Sequence, residues 1–104
     1  KIQTKSFIPI VSEIFQMLKP GKVLPGKFLA RYCRSYYSRA SVWSHLNWLV
    51  DNEVLAQISD GQKMFFGWNP NMPEEAKKLL DRLYRECNLL LRARETVRRR
   101  RGRR

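Results

Sequence analysis

Residues 39–68, RASVWSHLNWLVDNEVLAQISDGQKMFFGW, decide the fold because the period of their hydrophobic pattern changes part-way along. The first half carries apolar residues at three- and four-residue steps, which is the spacing of one helix face. These positions are Val42, Leu46, Leu49 and Val50. The spacing predicts a helix that begins at Ser38 or Arg39 and ends near Asn52.

The second half of this stretch predicts a β-hairpin. Two short runs rich in β-forming residues, 55–59 and 63–68, flank the dipeptide Asp60-Gly61. Asp-Gly between two such runs is a strong hairpin signal, since both central residues of the favoured two-residue turn need positive φ. The stretch therefore predicts a helix followed directly by a hairpin.

Two further helices are predicted upstream. Residues 8–19 carry an apolar stripe at helical spacing and stop at Pro20-Gly21, where Pro cannot continue a helix and Gly accepts the cap geometry. A second helix is expected over about residues 26–35, after Pro25-Gly26, and a turn follows at residues 35–38. The predicted order is helix, helix, turn, helix and hairpin.

A long helix is predicted to close the chain. Pro73 suits a first helical position, and the acids that follow it suit the first turn, so the helix should run over about residues 73–98. Its apolar positions form a heptad seam, which favours pairing with a second copy of the chain. The predicted dimerisation residues are Leu80, Leu83, Cys87, Leu90 and Leu91. The alternative is that the helix packs over the first helix of its own chain.

The net charge of the chain is +12, and it is unevenly placed. Residues 92–104 hold eight Arg and one Glu, which leaves 13 basic and 8 acidic groups for the other residues. Such a balance favours polyanionic partners, nucleic acid first and an acidic membrane surface second. No apolar run approaches the roughly 20 residues needed to span a bilayer, and no signal-peptide pattern is visible. We therefore expect a cytoplasmic protein.

One domain is expected from the 104 residues, of which 43% are hydrophobic. We divide it into residues 1–70, the final helix 71–98, and an Arg-rich tail 99–104 that should be frayed when free. Cys33, Cys87 and the single His45 do not have zinc-site spacing, so neither a metal nor another cofactor is predicted. A disulfide between two copies of Cys87 is an option, although a reducing cell favours the thiol.

Several segments resemble winged helix-turn-helix regulators of the ArsR, MarR and PadR type. Residues 42–49 match a Val-x-x-His-Leu-x-x-Leu pattern that precedes the first wing strand in that family. Leu29-Ala30 resembles a pair in the family's second helix, and Phe66-x-Trp68-Asn69 resembles the close of its wing. The final helix is similar to the PadR-like dimerisation helix. Glu53 stands where the family usually has Gly, so a different helix cap is expected.

The resemblance implies that the third helix enters the major groove of DNA and that the wing contacts phosphates. Arg39 can reach guanine, Asn47 can pair with adenine, and the serines suit phosphates or bases. The predicted DNA-binding residues are Lys27, Tyr36, Tyr37, Ser38, Arg39, Ser41, Trp43, Ser44, His45, Asn47, Lys63, Arg98, Arg99, Arg100 and Arg101. For each polar residue the competing interpretation is a solvated surface, and for the tryptophan it is the core or an interface.

These observations predict a mainly α fold with a small β-hairpin (α+β), a winged helix-turn-helix followed by a long helix. The expected function is a homodimer that binds double-stranded DNA, as a transcription regulator or as a plasmid or viral partition protein. The alternative is a winged-helix RNA-binding or ribosome-associated protein, or a protein-interaction module, which Tyr36-Tyr37 and the basic tail would also suit. An enzyme is not expected, because no nucleophile–base pair or Gly-rich phosphate loop can be placed.

Overall fold

The computed structural model describes residues 7–33 and 37–101, without the side chains of Cys33 and of residues 94–101. Within them it confirms an α+β fold that is mainly helical. The elements are α1 (Phe7–Met17), β1 (Val23–Pro25), α2 (Gly26–Cys33), α3 (Arg39–Asp51), β2 (Leu55–Asp60), β3 (Lys63–Trp68) and α4 (Glu74–Arg101). The last helix was predicted to end near residue 98, and α4 continues to Arg101.

The sheet has one strand more than the predicted hairpin. Its order is β1-β3-β2, with every pair antiparallel. In β1, Val23 lies opposite Gly67 and Leu24 opposite Phe66. Three residues that end in Pro25 are too short to show an alternating pattern, and Pro is tolerated at such an edge. This strand exists because β3 offers it a partner, which the local sequence does not reveal.

The hairpin turn differs by one residue from the prediction. Asp60 pairs with Lys63, so the central turn residues are Gly61 and Gln62. Gly61 alone among these two has a positive φ, 62°. A positive φ at the first central position only is the pattern of a II′ turn, which favours Gly there. The dipeptide therefore predicted the hairpin correctly but placed its centre one residue too early.

The core lies where the three N-terminal helices meet the sheet. Phe66 is fully buried, and Trp43 packs edge-on against its ring with centroids 5.6 Å apart. A Cβ on Gly26 would meet the Trp43 ring and would lie 2.8 Å from Phe66, so this position requires a glycine for close approach. The buried hydrophobic residues before α4 are Phe7, Ile10, Val11, Ile14, Phe15, Leu18, Leu29, Ala30, Val42, Leu46, Leu49, Val54, Leu55 and Phe66.

The end of α3 is closed by Glu53 in a left-handed conformation, with φ 62°. The amide of Glu53 donates to the carbonyl of Val50 at 2.9 Å, and that of Val54 donates to Leu49 at 3.0 Å. These two bonds make a Schellman motif, in which Gly is usual at the left-handed position. The expectation of a different cap was wrong, because the glutamate adopts the geometry that glycine would.

Glu53→Gly should raise the free energy of unfolding by about 0.5–1 kcal/mol. The left-handed conformation costs a residue with a Cβ about 1–2 kcal/mol, of which the greater freedom of Gly in the unfolded chain cancels part. Urea unfolding at equilibrium measures the difference. Glu53→Ala is the matched control, since it removes the charge and keeps the Cβ. An equal gain in both variants would show that charge, and not φ, strains this position.

The long helix α4 packs against α1 of its own chain. Ala76, Leu83 and Cys87 of α4 are buried, and the ring of Tyr84 packs at a tilt against that of Phe15 with centroids 5.2 Å apart. The indole nitrogen of Trp68 donates to the carbonyl of Leu18 at 2.7 Å, which ties β3 to the same cluster. The prediction that Leu83 and Cys87 face a second copy was wrong, because α1 already covers them. Leu80, Leu90 and Leu91 are half-buried.

Burial raises the pKa of the Cys87 thiol to about 11, and the nearby Glu86 carboxylate adds to the rise, whereas a hydrogen bond with Ser12 opposes it. The thiol is therefore protonated and covered at neutral pH, which disfavours the disulfide between copies.

The stability of the fold should depend on pH through Cys87. Because the folded pKa lies above the ordinary value of 9.0, the stability that the buried thiol contributes is fully present below pH 9 and is lost as pH rises toward about 11. Wild type and Cys87→Ala, unfolded in urea at several pH values, should differ by an amount that shrinks over this window. A constant difference would contradict the raised pKa.

Candidate nucleic-acid interface

The start of α3 is set by a serine cap. Ser38 lies in an extended conformation, and its hydroxyl accepts a hydrogen bond from the amide of Ser41 at 3.1 Å. Such a cap satisfies one of the free amides at a helix start. Arg39 then begins the helix, and Trp43 follows one turn later on the same side. The cap thus aims a cationic and an aromatic side chain at the same neighbouring elements.

These neighbours are α2 and the first half of β3, which together with α3 enclose an open groove of about 760 Å³. Four lining residues come from α2, four from β3 and the residue before it, two from α3 and one from the end of β1. The lining residues are Pro25, Lys27, Phe28, Ala30, Arg31, Arg39, Trp43, Gln62, Lys63, Met64 and Phe65. We call this feature the cationic groove.

The charge of the cationic groove has one sign. Lys27, Arg31, Arg39 and Lys63 line it, and all four are exposed. No acidic residue lines it within the described ranges, and none of the four forms a salt bridge to a described residue. Unpaired cations that converge on a concave surface focus a positive potential and attract anions. The groove is therefore suited to a polyanion.

Trp43 connects the groove to the core. Its ring packs edge-on against the buried Phe66 and over Gly26, so the side chain is half-buried. The ring also lines the groove, together with the cations. The interpretation of Trp43 as core packing is therefore confirmed in part, and its contact with DNA stays a prediction.

The groove brings together four of the predicted DNA-binding residues: Lys27, Arg39, Trp43 and Lys63. Two more lie exposed further along α3, outside the groove lining. The hydroxyl of Ser44 donates to the carbonyl of Ala40 at 2.9 Å, and Asn47 is exposed one turn later. Ser41 is half-buried, and the Ser38 hydroxyl is engaged in the helix cap.

His45 was predicted to contact DNA, and this prediction was wrong. Its side chain is only 2% exposed and packs on the ring of Phe7 with centroids 5.5 Å apart. One ring nitrogen, Nδ1, lies 2.6 Å from the carbonyl oxygen of Ser41. The histidine lies on the face of α3 that meets α1. It stands three residues after Val42 and four before Leu49, so it shares their buried face of the helix.

The other predicted contacts lie away from the groove or outside the described residues. Tyr37 is half-buried and packs against the core, so it does not project as a free ring. Tyr36 lies outside the described residues. The backbone of residues 98–101 is helical at the end of α4, and their side chains lie outside the described part of the chain.

Sequence reasoning missed the other seven residues that line the groove. Among them, Arg31 and Phe28 come from α2, and Gln62 comes from the hairpin turn. Arg31 stands four residues after Lys27, a separation that places two side chains on one helix face. This spacing was a usable signal, but the approach of β3 to that face depends on the tertiary structure.

Comparison of the chain with protein-family profiles, with curated proteins and with solved structures finds no match. The described helices include none that is both long enough and apolar enough to cross a membrane. The geometry and the charge of the cationic groove are therefore the features that bear on function.

Proposed function

We propose that this chain is a winged helix-turn-helix module that binds double-stranded DNA. The order of α1, β1, α2, α3 and the β2–β3 hairpin supports the fold assignment, since it places a hairpin next to the helix that follows a helix-turn. In this proposal α3 enters the major groove and the hairpin is the wing.

The observation that carries the proposal is the set of four exposed cations in the cationic groove. They come from α2 (Lys27 and Arg31), the start of α3 (Arg39) and the start of β3 (Lys63). Phosphate contacts supply most of the affinity of a DNA-binding protein and fix its register on the duplex. Cations on three elements around the N-terminus of one helix can hold that helix against a groove of DNA.

Sequence choice would come from the exposed side of α3. Arg39 is suited to the acceptors of guanine and Asn47 to adenine, and both side chains are exposed.

Arg39→Ala or Asn47→Ala should each cost about 1–3 kcal/mol of binding free energy on a preferred site and relax the choice of base at one base pair. Equal losses on preferred and on random duplexes would mean that neither residue reads a base.

We propose that the chain forms a homodimer, and that the apolar contact between the two copies is smaller than the sequence predicted. Leu83 and Cys87 belong to the core of the chain, so a partner would have to use the leucines that α1 leaves partly open. Leu80, Leu90 and Leu91 are half-buried, and Leu89 is 64% exposed. Two copies related by a two-fold axis would present two α3 helices to a symmetric site.

The experiment is a binding titration of the purified chain on a blunt duplex and on an RNA hairpin of equal charge, at two salt concentrations. Mass in solution is measured alongside, for wild type and for Leu89→Glu. Tighter binding to the duplex and a dimer that Leu89→Glu converts to a monomer would support the proposal. Preference for the hairpin would overturn the DNA assignment, and a wild-type monomer would remove the dimer from it.

A further inference from the structure

The surface of α2 exposes two aromatic rings. Phe28 is 50% exposed and Tyr32 is 55% exposed. They are four residues apart, so they lie on the same side of the helix and about 6 Å apart along its axis. Single exposed apolar side chains are ordinary on protein surfaces. A pair at this spacing beside a groove needs a reason, because neither ring contributes to the core.

The same helix places its cations directly beside these rings. At about 100° per residue, Lys27 and Arg31 form one row along α2, and Phe28 and Tyr32 form the adjacent row. The buried side of the helix is occupied by Leu29 and Ala30. The sequence of α2, GKFLARYC, contains no acid. The exposed face is therefore half cationic and half aromatic.

We propose that this face of α2 binds unpaired nucleotides that adjoin the duplex. Lys27 and Arg31, which contact duplex phosphates in a blunt complex, contact on such a substrate the phosphates where the unpaired strand begins, and the unpaired bases stack on Phe28 and Tyr32. Proteins that bind single strands combine these two features, a cationic track and aromatic stacking platforms. The inference rests on the proposed function, because α3 and the wing hold the neighbouring duplex. It adds the substrate class: a duplex with a single-stranded extension.

The rings should prefer unpaired to paired strands because the bases of a duplex are already stacked. In a duplex each base is covered on both faces by its neighbours, so its flat surface is not available to a side chain. An unpaired base exposes that surface and stacks on any aromatic ring without regard to sequence. A fully paired duplex therefore gains nothing from Phe28 and Tyr32, whereas an extension gains contact with both.

The charge of the face argues for nucleic acid over the other occupants of an aromatic surface. Phe28 lines the groove together with the four cations Lys27, Arg31, Arg39 and Lys63. A second copy would bring the same cations and would be repelled. The unpaired nucleotide has both an anion for the cations and a flat apolar surface for the rings.

The test uses the full chain and two DNA substrates of about 20 base pairs, one blunt and one with a tail of about six thymidines. A 2-aminopurine base at the first unpaired position reports stacking through its fluorescence. The variants are Phe28→Leu with Tyr32→Leu, which removes both rings but keeps the apolar bulk. The control is Phe28→Tyr with Tyr32→Phe, which exchanges the rings. All three proteins should unfold at the same urea concentration, since both side chains are exposed.

The expected result is that the tail tightens binding about tenfold or more and quenches the 2-aminopurine. In the leucine variant the tailed and the blunt duplex should bind equally and the quenching should be lost, whereas the ring-exchange variant should keep both effects. A tailed duplex bound no tighter than the blunt one overturns the inference and leaves the proposed function intact.

Two further outcomes separate the inference from the proposed function. If the tail alone binds as a single strand and the blunt duplex does not, the assignment of the α2 face to unpaired nucleotides stands, and both the duplex assignment and the tailed duplex as substrate fail. If the leucine variant halves the mass of the protein in solution, the rings join two copies, and the inference is overturned. If the protein binds neither the duplex nor the single strand, the inference and the proposed function are both overturned.

Discussion

Replacing Lys27, Arg31, Arg39 and Lys63 together by Gln should weaken binding to duplex DNA by about a thousandfold at 0.1 M salt. All four side chains line the cationic groove and have no acidic partner among the described residues. Each phosphate that a cation neutralises contributes about 0.9 to the slope of log affinity against log salt. The slope should therefore fall by about 3.6. Titrations at four or more salt concentrations measure both quantities.

A second quadruple variant separates this geometry from general charge. Lys77, Lys78, Arg82 and Arg85 are exposed along α4, away from the groove lining. Their replacement by Gln produces the same net charge as the groove variant. We expect this control to keep most of the affinity and most of the salt slope. Equal losses in the two variants would mean that the total charge binds DNA and that the groove is not the site.

Phe66→Ala should lower the free energy of unfolding by about 3–5 kcal/mol. Phe66 is fully buried, and both Trp43 and Gly26 pack against its ring. Truncation removes apolar burial and leaves a cavity between the sheet and two helices. Domains of this size are stable by about 5–15 kcal/mol in total, so the variant should lie close to its unfolding threshold. Urea unfolding followed by tryptophan fluorescence measures the loss.

The matched control is the neighbouring position on the same strand. Phe65 points to the other face of β3, is half-buried and lines the groove. Phe65→Ala removes an equal volume but should cost only about 1 kcal/mol, because its ring is partly in water before the change. If the two variants lost equal stability, Phe66 would not be the centre of the core. Under conditions in which the Phe66→Ala variant is still folded, it should also lose DNA affinity, because the ring of Trp43 would no longer pack against Phe66.

The central part of the fold could be predicted because its signals are local. The helical spacing that begins at Val42 and the β runs on either side of Asp60-Gly61 each identify an element without reference to the rest of the chain. The bounds of α3, β2 and β3 agree with the predicted ranges to within a residue or two. The class of the fold followed from the order of these elements.

The candidate site could be predicted only in part. Arg39 and Lys63 were identified because the resemblance to a DNA-binding family placed them at the start of a recognition helix and on a wing. Arg31 and Phe28 were missed, since they face the groove only because β3 approaches α2. His45 was assigned to the surface, yet it lies against Phe7 in the core. A histidine at a helix edge can turn either way, and the position of α1 decides which.

The sequence by itself determined the local elements and the balance of charge. Periodicity and turn chemistry involve residues that are close together in the sequence, so both can be recognised without the structure. The excess of 21 basic over 9 acidic groups is likewise independent of the fold. Tertiary structure alone decided which faces remain open. Leu83 and Cys87 of the α4 seam are buried within their own chain, where α4 packs against α1, and β1 forms only because β3 accepts it. An apolar face has the same sequence pattern whichever surface buries it, so only the folded chain selects the partner.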